Sequence, residues 1–517
     1  MTVEIVKVPA QPGGVRPAAP APTTRPVRRG PWRAVARRAV LVPLIVLMPL
    51  VTLTPGADHR FNVYANGGRY LANPLLLLRG VIESVPTYLQ LGNFRPLGRL
   101  VEWSLDVTAF AITGLFGLPV NVTLRLVSFA AAVLLTLAAV VFAESVTARG
   151  RLFAAAPTVP VALLPFAVGA GLVAAGRTST TVLFGGLYFS TAALVLAVAA
   201  AACRARRPGL AVVLAGAALA AFNEMAYLAV PLATAAVLIR GRVVLAEDWR
   251  TTLRGPGVRF AALLWAGFLP VFVPIRAIIY QKCAAGGCYA GSDIALSGAA
   301  GALPNRLISW LPPLMWQRAT GGDFHPISAI SLLTLVALGV LAIRGPRPAR
   351  PDRRQALGLA GVAAVLLLLA GTLAALNADV QTMAAQGRWG QGWRESGLTA
   401  VAGGLLVLVT VRRFVGPALA VLVVAAMFGA AANKDFRDRS DGGKYPYLHD
   451  RIAQEVADFD ATPAGNARRC ALRDAFRQTS LANHQGVATP ELERFDVSLD
   501  RATRHLAGRP FCREAAR

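Results

Sequence analysis

The sequence predicts an all-α polytopic membrane protein with about eleven transmembrane helices, read from apolar runs long enough to cross a bilayer. Three observations carry this. Of 517 residues, 55% are hydrophobic and only 15% charged, where soluble proteins carry roughly 25% charged residues. Mean hydropathy is +0.52. The Lys and Arg residues concentrate in alternate connecting segments, as cytoplasmic loops require.

The apolar runs lie near 38–55, 124–145, 153–174, 180–202, 209–222, 226–240, 259–280, 327–343, 356–376, 397–411 and 415–432. The first follows "RPVRRGPWRAVARR" and is too long for the core of a signal peptide. "TPGADHR" after it lacks a small-x-small cleavage pattern, so it reads as a retained helix. The stretch 104–119 is broken by Asp106 and Gly117. It is expected as an amphipathic helix lying on the outer surface.

The formal charge is +26. In a soluble chain that excess would suggest nucleic acid, but no basic–aromatic stacking pattern accompanies it, and no nucleic-acid partner is expected. Instead it orients the chain. With the N-terminus inside, cytoplasmic segments hold 25 of the 53 Lys and Arg, against 11 in the external loops between spans. The expected topology is N-in, C-out. Residues 1–37 are then a disordered basic cytoplasmic tail. Residues 38–432 form the transmembrane domain, with external loops 56–123, 281–326 and 377–396. Residues 433–517 form a small external helical domain, short on core unless stapled or docked.

The cysteines fit this threading. Cys283, Cys288, Cys470 and Cys512 fall outside and Cys203 inside, the distribution an oxidising exterior predicts. Disulfides Cys283–Cys288 and Cys470–Cys512 are expected. No His or carboxylate cluster accompanies "CAAGGC" to suggest a metal site.

"LAAFNEMAYLAVPLATAAVLI" places Glu224 inside an apolar run bounded by Arg207 and Arg240. Both ends are basic, so both belong on one side. A single helix there would span roughly 46 Å, too long for one crossing and short for two. A helical hairpin with its tip at Asn223 and Glu224 satisfies both facts, with the tip at or just below the outer interface.

Several stretches resemble the GT-C membrane glycosyltransferases. "TPGADHRFNVYANGGRY" has the layout of their long first external loop, with an acid soon after the first helix. "RPLGRLVEW…FGLPVNVTLRLVSF" looks like the region leading into their second helix. "FNEMAYLAVPLATAAVLI" is similar to their "KE…P" hairpin, with Asn for Lys. The resemblance covers about residues 38–280. It implies a polyprenyl-phosphate sugar as donor and an extracytoplasmic glycan, lipid or protein as acceptor. In one departure, many members pair two acids in the first loop, whereas Asp58 stands alone before His59 and Arg60.

Such chemistry needs a base for the acceptor hydroxyl. It also needs cations for the phosphate, either Arg forks or a divalent metal ion. Asp58 is the candidate base, with Glu83 and Glu102 in reserve. Glu224 and Asn223 could reach the same cavity. Phosphate candidates are Arg95, Arg99, Arg276, Lys282, Arg306, Arg318, Arg388 and Arg394. Trp389 and Trp393 suit either an interfacial belt or sugar stacking. No dinucleotide or P-loop motif and no Ser-His-Asp or HExxH pattern is present. The Ala-, Arg- and Val-rich composition points to a bacterial plasma membrane. Two other readings remain. A transporter or flippase would show two similar halves, and none is found. A non-catalytic scaffold in envelope assembly would fit the solitary Asp58.

Overall fold

A computed structural model describes residues 30–53, 59–284, 288, 294–321, 326–345, 347–441, 451–452, 455–456, 458–483, 496–497, 499–500, 503–504 and 507–513. The described chain is helical, with two isolated bridges and no β-strand. In chain order the helices are α1 (Gly30–Leu47), α2 (His59–Tyr70), α3 (Leu75–Gln90), α4 (Pro96–Phe116), α5 (Val120–Thr147), α6 (Val159–Ala170), α7 (Gly185–Arg204), α8 (Leu210–Ala220), α9 (Ala229–Ile239), α10 (Trp249–Arg254), α11 (Pro256–Ala284), α12 (Ala299–Ile308), α13 (Pro312–Thr320), α14 (Ala329–Arg344), α15 (Arg353–Ala375), α16 (Ala378–Ala385), α17 (Ser396–Thr410), α18 (Val415–Asp441) and α19 (Pro463–Asn483). Among the described residues six helices are long and apolar enough to cross a membrane: α5, α7, Glu224–Val244 around α9, α11, α15 and α18. Four apolar helices, α6, α8, α14 and α17, are shorter.

The basic loops gather at one end. Arg204 donates to the Gly150 carbonyl and Arg240 to that of Val146. Arg149 pairs with Asp352, and Trp32 donates to the Ala155 carbonyl. Arg350 and Arg353 share a concavity with Arg412 and Arg413. The helix starts here are locally encoded. Asp352 and Gln355 form a reciprocal capping box at the start of α15, each side chain accepting the other's backbone N–H.

The hairpin is present. α8 ends at Ala220, and a 3-10 turn, Glu224–Leu228, leads into α9. Asn223 caps that turn by accepting from the Ala226 N–H, and its amide donates to Thr191. Gly216 lies against the Leu264 carbonyl and Gly267 against that of Val213, so α8 and α11 approach backbone to backbone. At one end Gly257 of α11 faces Val237; at the other Arg276 pairs with Glu224. Those two α11 positions are roughly 28 Å apart along the helix, close to the thickness of a bilayer's apolar core.

Three boundaries differ from the sequence reading. Helix α1 starts at Gly30, so residues 30–37 are helical rather than tail, because Trp32 packs edge-on against Phe153. The run 153–174 is a helix of only 12 residues, followed by irregular buried backbone. That backbone is tolerated because protein groups satisfy it: the Ala174 N–H donates to Asn433, and Ser179 and Thr181 donate to the Val173 carbonyl. Helix α18 runs past 432, and Asn433 is core rather than external domain. Its amide donates to the Val46 and Leu172 carbonyls.

The stretch 104–119 belongs to α4, which starts with Pro96 and ends at Gly117 in the left-handed region. Its polar face is buried rather than exposed to water. Helix α3 carries an exposed apolar stripe instead, through Leu75, Leu78 and Ile82. The C-terminal segment docks on α2, α4 and the start of α5: Ile452, Leu472, Phe476 and Phe511 join Val63, Tyr64, Phe110 and Leu124 in one apolar cluster. Both expected disulfides, Cys283–Cys288 and Cys470–Cys512, are formed, and Cys203 is free.

The start of α4 is fastened to the hairpin tip. The Leu97 N–H donates to the Ala221 carbonyl and the Gly98 N–H to that of Phe222, each at 3.0 Å. A Cβ at Gly98 would collide with the Phe222 carbonyl, whereas Gly301 faces open space. Gly98→Leu should therefore cost about 1–3 kcal/mol of stability and Gly301→Leu almost nothing. Thermal unfolding of the two purified variants measures this; equal unfolding midpoints would refute the docking.

Candidate active site

Four separate segments converge on the hairpin tip. Backbone bonding of α4 to the tip brings Arg95, the residue preceding α4, next to Glu224. Helix α11 runs alongside and delivers Arg276. The loop before α17 delivers Arg394, because its backbone is held by the irregular segment after α6: Gly392 donates to the Ala175 carbonyl and Thr180 to that of Trp393. Tyr188, in the first turn of α7, lies between them.

At the centre, Arg276 Nη2 stands 3.7 Å from Glu224 Oε1. The guanidinium lies over Tyr227 at 5.0 Å and Phe272 at 5.8 Å from the ring centroids. Arg394 sits 5.9 Å from the Tyr188 ring and 5.2 Å from that of Trp393. The charges of Arg276, Arg394 and Arg95 all bear on the Glu224 carboxylate. Arg95 is 3.6 Å from Glu102. Burial disfavours its charge, but Glu102, Tyr188 and Glu224 outweigh that and hold its pKa above the usual arginine value.

Arg95, Arg99, Glu102 and Asp106 recur at spacings of four, three and four and so share one face of α4. Arg99 is only 5% exposed, stacked 3.1 Å above the Tyr88 ring centroid. Burial lowers its pKa. Asp106 accepts from the Asn66 amide at 2.8 Å. Burial, then Glu102, pushes its carboxyl well above the usual carboxylate range despite that bond. Arg95 Nε, Arg99 Nη2 and Glu102 Oε2 are buried without a hydrogen-bond partner among the described residues. Asp106, Tyr188 and Tyr227 were not picked from the sequence. The "RPLGRLVEWSLD" spacing itself was a signal for Asp106; Tyr188 and Tyr227 had none.

The other candidates separate from this cluster. Asp58, the proposed base, lies outside the described residues. Glu83 pairs with Arg79 on an exposed helix face. Asn223 caps its turn, so both ends of its amide are engaged. Lys282 is exposed beside the Cys283–Cys288 disulfide. Arg388 lies near Arg318, and the arginine charges that bear on Glu224 are those of Arg276, Arg394 and Arg95. Trp393 is packed with Ala374 and Val380, while Trp389 is exposed. Arg306 is locked to Glu395 and the Gln391 carbonyl, and Arg318 donates to the Gln391 side chain.

Among the described residues no three His, Cys, Asp or Glu side chains come together as a metal site. Glu102 and Asp106 offer two carboxylates, one already engaged by Arg95 and the other by Asn66. What the cluster offers is cationic: four arginines against Glu224 and Glu102, beside the buried Asp106 carboxyl. Such an arrangement suits an anion with several oxygens.

Two ion pairs here should respond differently. The Arg306 and Glu395 side chains are 3% and 2% exposed, against 18% and 25% for Arg276 and Glu224. Arg306→Met should cost about 3–5 kcal/mol, and adding Glu395→Leu should restore most of it. Arg276→Met should cost roughly 1 kcal/mol or less. Chemical or thermal unfolding separates the two; equal losses would show that the tip pair is also a structural lock.

Compared with protein-family models, with curated proteins and with solved structures, the chain matches none.

Proposed function

We propose that this chain is a membrane glycosyltransferase of GT-C type, moving a sugar from a polyprenyl-phosphate donor to an extracytoplasmic acceptor. The observation that carries the reading is the convergence of Arg95, Arg276 and Arg394 on Glu224 at the hairpin tip. These residues come from four segments far apart in sequence, and a folded chain has no structural need to collect like charges. The layout of first loop, hairpin and apolar helices, which resembles that family, supports it further.

In this reading the chain sits in a bacterial plasma membrane with about eleven crossings, N-in and C-out, counting the short apolar helices as spans within a thick bundle. The donor phosphate lies among Arg95, Arg276 and Arg394, with its lipid tail along the apolar helices. The unpartnered Arg95 Nε and Arg99 Nη2 are donors that phosphate oxygens would satisfy. Asp58 takes the proton of the acceptor hydroxyl. The acceptor oxygen bonds to the anomeric carbon, the bond from that carbon to the phosphate oxygen breaks, and polyprenyl phosphate leaves with the electron pair. The arginines stabilise the charge that grows on the leaving oxygen. Glu224 holds Arg276 in place and keeps the arginines from repelling one another.

In proteoliposomes given radiolabelled polyprenyl-phosphate sugars, Arg95→Ala and Arg394→Ala should each lower transfer by about 10²–10³, and Arg388→Ala should not. Asp58→Asn should abolish transfer without shifting the unfolding midpoint. Full activity in the Arg95 and Arg394 variants, or an equal loss on removing Arg388, would sink the assignment.

A further inference from the structure

We propose that the arginine-rich end of the fold, opposite the hairpin tip, holds one anionic phospholipid in a cavity between α1, α14 and α18. The cavity measures about 550 Å³, within the range of sites that take drug-sized ligands. Its wall is apolar, with Val35, Leu163, Ile343, Val415 and Leu419 among its residues. Its rim carries Arg347, Arg350 and Arg413, with Arg38 further in and no acidic residue among the described residues that line it.

Three features select the occupant. Arg347, Arg350 and Arg413 are exposed and have no ion-pair partner among the described residues. The nearby acid, Asp352, is taken by Arg149 and by the start of α15. Arg38 is buried with one weak bond, 3.5 Å to the Ala162 carbonyl. Four guanidinium groups without a counter-charge call for a strong anion, and a phosphate accepts from Arg forks. The apolar wall continues onto α14, whose Leu333, Val336, Leu341 and Ile343 are exposed. A free anion would leave that wall uncovered, whereas an acyl chain covers it. The sequence 1–29 is itself basic, with Lys7, Arg16, Arg25, Arg28 and Arg29 against Glu4 alone, and offers little counter-charge for this rim. Basic pockets between membrane helices on the positively charged side commonly bind anionic head groups.

The test uses the full chain in non-ionic detergent, freed of lipid by extensive washing, and does not depend on any transferase activity. Phosphatidylglycerol should raise the unfolding midpoint by about 3 °C near saturation, growing with the logarithm of lipid concentration. Phosphatidylcholine and inorganic phosphate should leave it unchanged. Native mass spectrometry should count one retained phosphatidylglycerol. The triple variant Arg347→Ala/Arg350→Ala/Arg413→Ala should lose both signals while keeping the lipid-free midpoint. Arg250→Ala/Arg254→Ala/Arg259→Ala removes equal charge at the same end outside the cavity and should keep both. The proposal fails if phosphatidylcholine or phosphate stabilises equally, or if a polyprenyl monophosphate binds and phosphatidylglycerol does not. It fails too if the two triple variants behave alike.

Discussion

Two backbone hydrogen bonds, from Leu97 and Gly98 to the carbonyls of Ala221 and Phe222, determine where the charged groups of this protein meet. The first turn of a helix has N–H groups with no partner of their own, and the last turn has carbonyls in the same position. Here the start of α4 satisfies the end of α8 directly. The contact needs a residue without a side chain, and Gly98 supplies it. Because Arg95 precedes that turn and Glu224 follows the carbonyls, the joint sets their spacing without any charge having to find its partner. Side chains could be exchanged around this joint, but the joint itself is backbone.

The two ends of the fold treat charge differently. At the basic end, arginines mostly bond to helix-terminal carbonyls or project freely: Arg204 and Arg240 on α5, Arg412 on the Val409 carbonyl. These are the partners that helix C-termini offer to cations. At the tip end, arginines face carboxylates, tyrosines and each other. Arg306 shows how a structural arginine looks there, since Glu395 and the Gln391 carbonyl occupy its donors. Arg95 and Arg99 retain buried donors with no partner among the described residues, which costs about 1–3 kcal/mol for each such group. A fold keeps such a cost where it is offset by something else that binds.

Much of this was legible in sequence where the signal was local. The hairpin followed from Arg207 and Arg240 at both ends of a run too long for one helix. The disulfides followed from which side of the threading each cysteine fell on. Every expected apolar run contains a helix, since apolar length is a one-dimensional property. The misread boundaries at α1, α6 and α18 share a cause, because each is set by a distant partner: Phe153 for Trp32, Asn433 for the backbone after α6, and the Val46 and Leu172 carbonyls for Asn433. The site was half legible. Arg95, Arg99, Glu102, Glu224, Arg276 and Arg394 could be chosen by residue type and by position near the ends of apolar runs. That "GRWGQGWR" sends Arg394 to the tip and Arg388 elsewhere could not, because Gly390 turns the chain between them through positive φ. Asp106 could have been found, since it continues the four-three-four spacing of its neighbours.

Glu224 gives the cluster its character. Without it, Arg95, Arg276 and Arg394 would repel one another and the tip would stay open to water. With two or three carboxylates they would be neutralised and would have nothing left to offer an anion. Glu224 within reach of three guanidinium groups, with Glu102 tied to Arg95 and Asp106 bound to Asn66, holds the arginines together and still leaves positive charge. That balance distinguishes the cluster from an ion pair that merely closes a helix bundle, and it suits an anion with several oxygens. It also explains why an acid could stand inside an apolar run: the hairpin sets it at the turn, where three cations bear on it.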